Sequence, residues 1–255
     1  MSVEILQQAI RRCKTPLALG LRAEKSALSP ALLRQFTEMY GEGPLATTEA
    51  LRYHGCRALE QVAGILPAVY LDTMSYLRWG SMGLDVLCNL CAAAHEAGYY
   101  VIADCRADGA EGWFDILPQA DAVTVSPYAG GESCRVPEGK AALALLRTAG
   151  PLSGEVQNLM AGDRRLYLAV ADQMARRGAG AVIETGYSLD IREVRKKQEK
   201  LFLVLKDCDA DSAASAFDDY GHGALVVDDT IGTAGDAKTA AEKAVKAMKQ
   251  YVTVL

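Results

Sequence analysis

The stretch 99–108, YYVIADCRAD, runs a set of apolar residues straight into three ionisable ones, Asp104, Arg106 and Asp108. An apolar run that ends in acid–base–acid is how a parallel strand, buried on both faces, delivers chemistry to its carboxyl end. The chemistry such a trio offers is acid–base and electrostatic. The guanidinium can stabilise developing negative charge, but with a pKa above about 12 it is a poor general acid.

Elements that could position these groups alternate along the chain. Short apolar runs occur at 17–21 (LALGL), 65–71 (ILPAVYL), 99–105 (YYVIADC), 122–127 (AVTVSP), 141–148 (AALALLRT), 179–185 (AGAVIET), 200–206 (KLFLVLK) and 223–229 (GALVVDD). Helical patterns lie between them. SMGLDVLCNLCAAAHEAG ends at Gly98, a C-terminal glycine cap. DRRLYLAVADQMARRGAG is expected to start at Asp163 as N-cap and to stop at Gly178. AKTAAEKAVKAMKQYV closes the chain as an amphipathic helix. Eight strands alternating with helices over about 250 residues predict a single-domain (β/α)8 barrel spanning 1–255. An open doubly wound sheet is the competing architecture, but the glycine-rich phosphate turn expected after its first strand is missing.

In such a barrel the reactive groups lie at the strand ends. Those ends carry Arg22; Tyr70 and Asp72; Asp104, Arg106 and Asp108; Ser126, Pro127 and Tyr128; Ser153 and Gln157; Glu184 and Tyr187; Lys206, Asp207 and Asp209; and Asp228 and Asp229. Net charge is −5, which argues against nucleic acid or an anionic membrane as partner. No run approaches the roughly 18 apolar residues of a membrane span. The amphipathic opening MSVEILQQAIRRCK lacks a signal-peptide core. Seven scattered cysteines suit a reducing cytoplasm. Cys88 and Cys91 fall one turn apart within a helical pattern and read as small core residues rather than a redox pair. His54, His95 and His222 form no zinc-ligand pairing. Asp207, Asp209 and Asp211 have a D-x-D-x-D spacing without the continuation of a calcium loop, so no metal is expected.

Several segments, in order and nearly end to end, resemble the orotidine 5′-phosphate decarboxylase family, with the bacterial long-chain branch as the best fit. GLRAE at 20–24 resembles G-L-D-P, and PAVYLDTMSYLRWGSMGL at 67–84 resembles the P-A-V-K-P-Q strand and the helix after it. VIADCRAD resembles V-I-x-D-x-K-R-x-D, and DAVTVSPYAGGE at 121–132 resembles A-D-x-x-T-x-N-P-Y-x-G-x-D. RTAGPLSGEVQNL at 147–159 resembles T-S-N-P-S-S-G-E-x-Q-x-L and is the most specific match.

The resemblance implies decarboxylation without metal or cofactor. An acid–lysine array crowds the substrate carboxylate, and a lysine protonates the carbanion left at C6 of the pyrimidine. Asp104 matches the first acid, but Arg106 stands at the lysine. The second acid falls on Gly109, or on Asp108 if the loop is one residue shorter. Tyr70 replaces the other array lysine, and Arg22 replaces the aspartate that holds ribose hydroxyls. The phosphate turn after the seventh strand is LKDCDADS at 205–212, and the eighth strand ends VVDDTIG at 226–232 without the arginine. Carboxylates there would repel a phosphate. Ser153 and Gln157, which the resemblance assigns to the pyrimidine and the approach to the phosphate, are intact, and Ser126 and Pro127 lie at the matching fourth-strand end. The resemblance also implies a homodimer through the strand-end face, although the linking stretch GAEGWFDILPQ is short. Three readings follow: a barrel that has lost decarboxylation and binds another small molecule or supports a paralogue; a divergent working decarboxylase; and new chemistry on the same barrel.

Overall fold

In the computed structural model, which describes residues 2–184 and 188–255, the apolar runs close into a parallel barrel. The strands are β1 Leu17–Leu21, β2 Ala68–Leu71, β3 Tyr100–Ala107 and β4 Ala122–Val125. They continue as β5 Ala141–Arg147, β6 Gly180–Ile183, β7 Leu203–Leu205 and β8 Ala224–Asp228. Neighbours in sequence are neighbours in space, and β1 pairs with both β2 (Ala18 opposite Ala68) and β8 (Leu17 opposite Val226), which closes the ring. This is the single-domain (β/α)8 architecture expected from the strand–helix alternation. No helix among the described residues is long and apolar enough to cross a membrane.

Side chains alternate between the helix layer and the barrel interior, as the two-residue period of a strand requires. The interior set includes Ala18, Ala68, Tyr70, Tyr100, Ile102, Ala122, Leu143, Val182, Val204, Leu225 and Val227. The amino-terminal helix Ser2–Cys13 adds Leu6 and Ile10 to this set and so stoppers the barrel at the end away from the strand tips. Ser2 Oγ lies 2.7 Å from the Tyr100 hydroxyl. Each fully buried Leu or Ile contributes roughly 1.5–3 kcal/mol.

Local signals account for most helix ends. Gly98 and Gly178 have φ of +82° and +69°, the left-handed turn a C-terminal glycine supplies. Asp72, Asp209, Asp228 and Asp236 each accept a backbone N–H as N-caps. Asp163 is a correction. The helix runs Leu166–Arg176, with Arg165 at its N-cap. The residues before it are drawn into a two-stranded hairpin, Met160–Ala161 against Arg164–Arg165. Gly162, with φ +72°, and Asp163 form its turn, in which a leading glycine takes the positive φ that a tight hairpin needs. Cys91 is buried in the helix Gly80–Glu96, where burial pushes its thiol up to about 12, and neither Cys88 nor Cys91 lies at the helix start.

The seam between β8 and β1 depends on a close approach. A Cβ on Gly20 would come within 1.9 Å of Asp229 Oδ1 and 3.0 Å of the Asp229 Cα. A Cβ on Gly232 would meet the Gly20 carbonyl oxygen at 1.9 Å. His54 Nε2 donates to the Gly232 carbonyl at 2.7 Å and holds that turn from outside. Gly20→Ala should therefore destabilise the protein by roughly 1–3 kcal/mol, the usual effect of overpacking. Urea denaturation will check this, and an unchanged midpoint would mean that the seam is slack.

Candidate active site

The inward parity of the strands, carried one step further, builds the site. Ile102 points inside, so Asp104 does; Val182 points inside, so Glu184 does; Val204 points inside, so Lys206 does. Thr124 follows from Ala122 by the same count. β3 slips register against β4 between Ala103 and Ala107, and within that irregularity Arg106 takes φ +48°. The bulge turns Arg106 back over the mouth, a use of bulges common beside active sites.

Four ionisable side chains meet there. Asp104 is 1% exposed, Glu184 4% and Lys206 6%. Lys206 Nζ lies 3.5 Å from Asp104 Oδ2 and 3.7 Å from Glu184 Oε1. Arg106 Nη2 lies 3.3 Å from Asp104 Oδ2 and also pairs with Glu184 Oε1. Thr124 Oγ1 donates to Asp104 Oδ1 at 2.6 Å and accepts from the Arg106 backbone N–H at 2.9 Å. Two carboxylates thus face two cations. Burial works against the Arg106 charge, but Asp104 and Glu184 outweigh it and hold the guanidinium protonated even more firmly than usual. The Lys206 ammonium sits 4.7 Å from the centre of the Tyr70 ring. The Tyr70 hydroxyl is fully buried beside Asp104. Burial, then the fields of Asp104 and Glu184, push its phenol far above the ordinary value, so it stays a donor.

A second group lies at the seam. Arg22 pairs with Glu24 and Asp72, at 3.2 Å each, and with Asp229 at 3.6 Å. Arg22 is therefore enclosed by three carboxylates from the ends of β1, β2 and β8. Burial raises the Asp229 carboxyl above its usual range; Lys206 and Arg22 pull it back, while Asp207 and Asp72 push it up.

Other candidates from the sequence lie apart from the four-ion cluster. Asp108 is exposed and forms no salt bridge among the described residues; the second acid beside Arg106 is Glu184, across the barrel. Ser153 and Gln157 follow β5 at the same rim as Asp104, but both fold back on their own loop. Ser153 Oγ donates to the Thr148 carbonyl at 2.9 Å, and Gln157 Nε2 donates to Thr148 Oγ1 at 2.9 Å. Gln157 Oε1 accepts from Arg147, which also pairs with Asp190 at 2.8 Å. A cavity of about 440 Å³ opens beside this loop, between Arg147, Thr148 and Asp190. Ser126 and Pro127 start the turn after β4. Tyr187 falls outside the described residues. Among the described residues, no three His, Cys, Asp or Glu side chains converge as a metal ion would need.

The members underrated in the sequence are Lys206 and Glu184. Both stand at strand ends, and the parity of Val204–Lys206 and Val182–Glu184 would have placed them inside. What the sequence could not give is that β6, β7 and β3 bring them to one point.

Comparison with known proteins adds the following. No protein-family model matches the chain. It is 25% identical over 257 residues to orotidine 5′-phosphate decarboxylase of Rhodopirellula baltica, covering 87% of this chain and 84% of that protein. Among solved structures, Leishmania donovani OMP decarboxylase superposes with a TM-score of 0.76 at 21% identity, over 98% of each chain. The Plasmodium berghei orotidine 5′-monophosphate decarboxylase gives 0.81 at 14% identity, over 97% of each. The structural likeness is one of fold, and the chain is an orotidine 5′-phosphate decarboxylase-like barrel.

The raised Asp229 carboxyl has a consequence for pH. A carboxyl raised in the folded state contributes stability that is fully present below its unfolded pKa, about 3.9, and lost as pH rises through the folded value. Asp229→Asn does not titrate. The stability of the variant relative to the wild type should therefore increase from pH 3.5 to pH 7. Urea titrations at both pH values will read it, and a flat or falling difference would show that Arg22 and Lys206 outweigh burial.

Proposed function

We propose that the chain is a member of the orotidine 5′-phosphate decarboxylase family, of its bacterial long-chain branch, that no longer decarboxylates orotidine 5′-monophosphate and serves another small molecule at its rebuilt strand-end cluster. The observation that carries this reading is the disposition of charge. The cations in the barrel mouth, Arg106 and Lys206, are paired with Asp104 and Glu184. The ends of β7 and β8, where the resemblance places a phosphate turn and an arginine, present Asp207, Asp228 and Asp229 instead. A phosphate dianion is held by strong charge-assisted contacts, and such remote binding drives chemistry at the reacting carbon. Carboxylates in its place reverse that contribution. Cytoplasmic location fits the cysteines, all seven of which are unpaired.

A second reading has one observation in its favour. Lys206 brings an ammonium beside Asp104, where a divergent decarboxylase would want its proton donor. It would still have to hold a phosphate against the carboxylate rim.

Calorimetric titration with uridine 5′-monophosphate should give no binding at micromolar concentrations, and orotidine 5′-monophosphate should not be decarboxylated. Loss of a single electrostatic donor typically lowers rate by about 10²–10³, and here several members of one constellation are changed. Micromolar binding with turnover abolished by Asp104→Ala would restore the second reading.

The chain should also form a homodimer through its strand-end face. Leu152, Val156, Leu159 and Met160 after β5, with Leu189 after β6, leave an apolar surface exposed on that rim. Light scattering at micromolar concentration should give twice the mass of one chain; a monomer would point to a different partner for this surface.

A further inference from the structure

Away from the four-ion cluster, the helix Pro44–Val62 starts without a side-chain cap: its N-cap is Gly43 and its first residue is Pro44. The N–H groups of a first helical turn have no partners within the helix. Over 19 residues the aligned peptides leave about half a positive charge at that end. A cavity of about 400 Å³ opens there, with Lys25, Thr37, Gly43, Pro44, Thr47 and Trp79 among its walls. A helix start of this kind favours an anion, but it becomes a site only if other groups wait for the same ligand.

Thr47 is such a group. It is 6% exposed, it lines the cavity, and its hydroxyl makes no hydrogen bond among the described residues. Thr48, next to it, shows the ordinary alternative: its hydroxyl donates to the Pro44 and Leu45 carbonyls, at 3.0 and 3.1 Å. A nearly buried hydroxyl left without a partner is costly, and the cavity gives this one room for an acceptor.

Charge gives the sign of the ligand. Lys25 lines the same cavity and forms no ion pair among the described residues. A second cavity, of about 380 Å³, shares Lys25 and Trp79 as walls and adds Arg78, likewise without an ion pair among the described residues. Glu24, in that second cavity, is taken up by Arg22 at 3.2 Å. Glu42 is the carboxylate that opposes an anion here; it is exposed, and Lys25 and the helix start offset it. Trp79, half-buried between the two cavities, donates its Nε1–H to the Ala23 carbonyl at 3.1 Å, which fixes the ring as a flat apolar wall.

We propose that this groove binds a phosphate monoester of a small molecule. The first-turn N–H groups of the helix, the Thr47 hydroxyl and the Lys25 ammonium hold the phosphate, and the apolar body of the ligand lies along Trp79 toward Arg78. Donors of three kinds suit a tetrahedral group with three free oxygens, whereas a carboxylate has two. The groove shares no residue with the cluster of Asp104, Arg106, Glu184 and Lys206, so it stands whatever the barrel mouth binds.

Calorimetric titration of the full chain with phenyl phosphate, inorganic phosphate and benzoate as separate probes tests this. Phenyl phosphate should bind in roughly the millimolar range, as suits a ligand of its size, and so outside a micromolar titration. It should bind about fivefold tighter than inorganic phosphate, the worth of one aromatic contact, and tighter than benzoate. Thr47→Val and Lys25→Gln should each weaken it by about tenfold, the ordinary loss of one hydrogen bond to a charged group. Thr47→Val should melt no lower than the wild type, because the hydroxyl has no partner in the fold to lose. Benzoate binding as tightly as phenyl phosphate, binding that survives both substitutions, or a Thr47→Val variant that melts lower than the wild type overturns the proposal.

Discussion

Asp104 and Glu184 sit inside the barrel mouth almost out of reach of water, and each must meet a cation for the strands to stay closed around them. Removing one partner of such a group typically costs about 3–5 kcal/mol. Arg106 and Lys206 supply that compensation from opposite sides, one from β3 and one from β7. The bulge in β3, the left-handed backbone at Arg106 and Asp207, and the hydrogen bond from Thr124 all follow from aiming these four groups at one point. The cluster is also what closes the mouth, because the ions fill the space above Ile102, Val182 and Val204.

A second charge group stabilises the seam where the ring closes. Arg22, Asp72 and Asp229 join the ends of β1, β2 and β8, and Asp229 fits only because Gly20 has no side chain. Its field reaches the inner cluster, since Lys206 and Asp229 influence one another. The two groups form a chain of alternating sign across the strand ends. That continuity is how Arg22, Arg106 and Lys206 can stand together at the strand ends. Each of these cations is matched by a carboxylate.

A site for a nucleotide keeps unpaired cations and backbone donors waiting for an anion. Here the described cations of the mouth already have carboxylate partners, and the loop carrying Ser153 and Gln157 is anchored on Thr148 and Arg147.

The barrel was legible in the sequence because parallel strands buried on both faces must be continuous apolar runs, and eight of them alternated with helices. The strand-end position of Asp104, Arg106, Glu184 and Lys206 was legible for the same reason. Asp163 was misjudged because a hairpin competed for the residues before its helix, a pairing that no local propensity announces. Asp108 was overrated because spacing along one strand does not say where a bulge turns the chain. The partners of Arg106 and Lys206 were decided by tertiary structure alone. They come from strands separated by many tens of residues, and only closure of the ring, which sets how β3, β6 and β7 face one another, determines that two acids and two bases share one pocket of low dielectric.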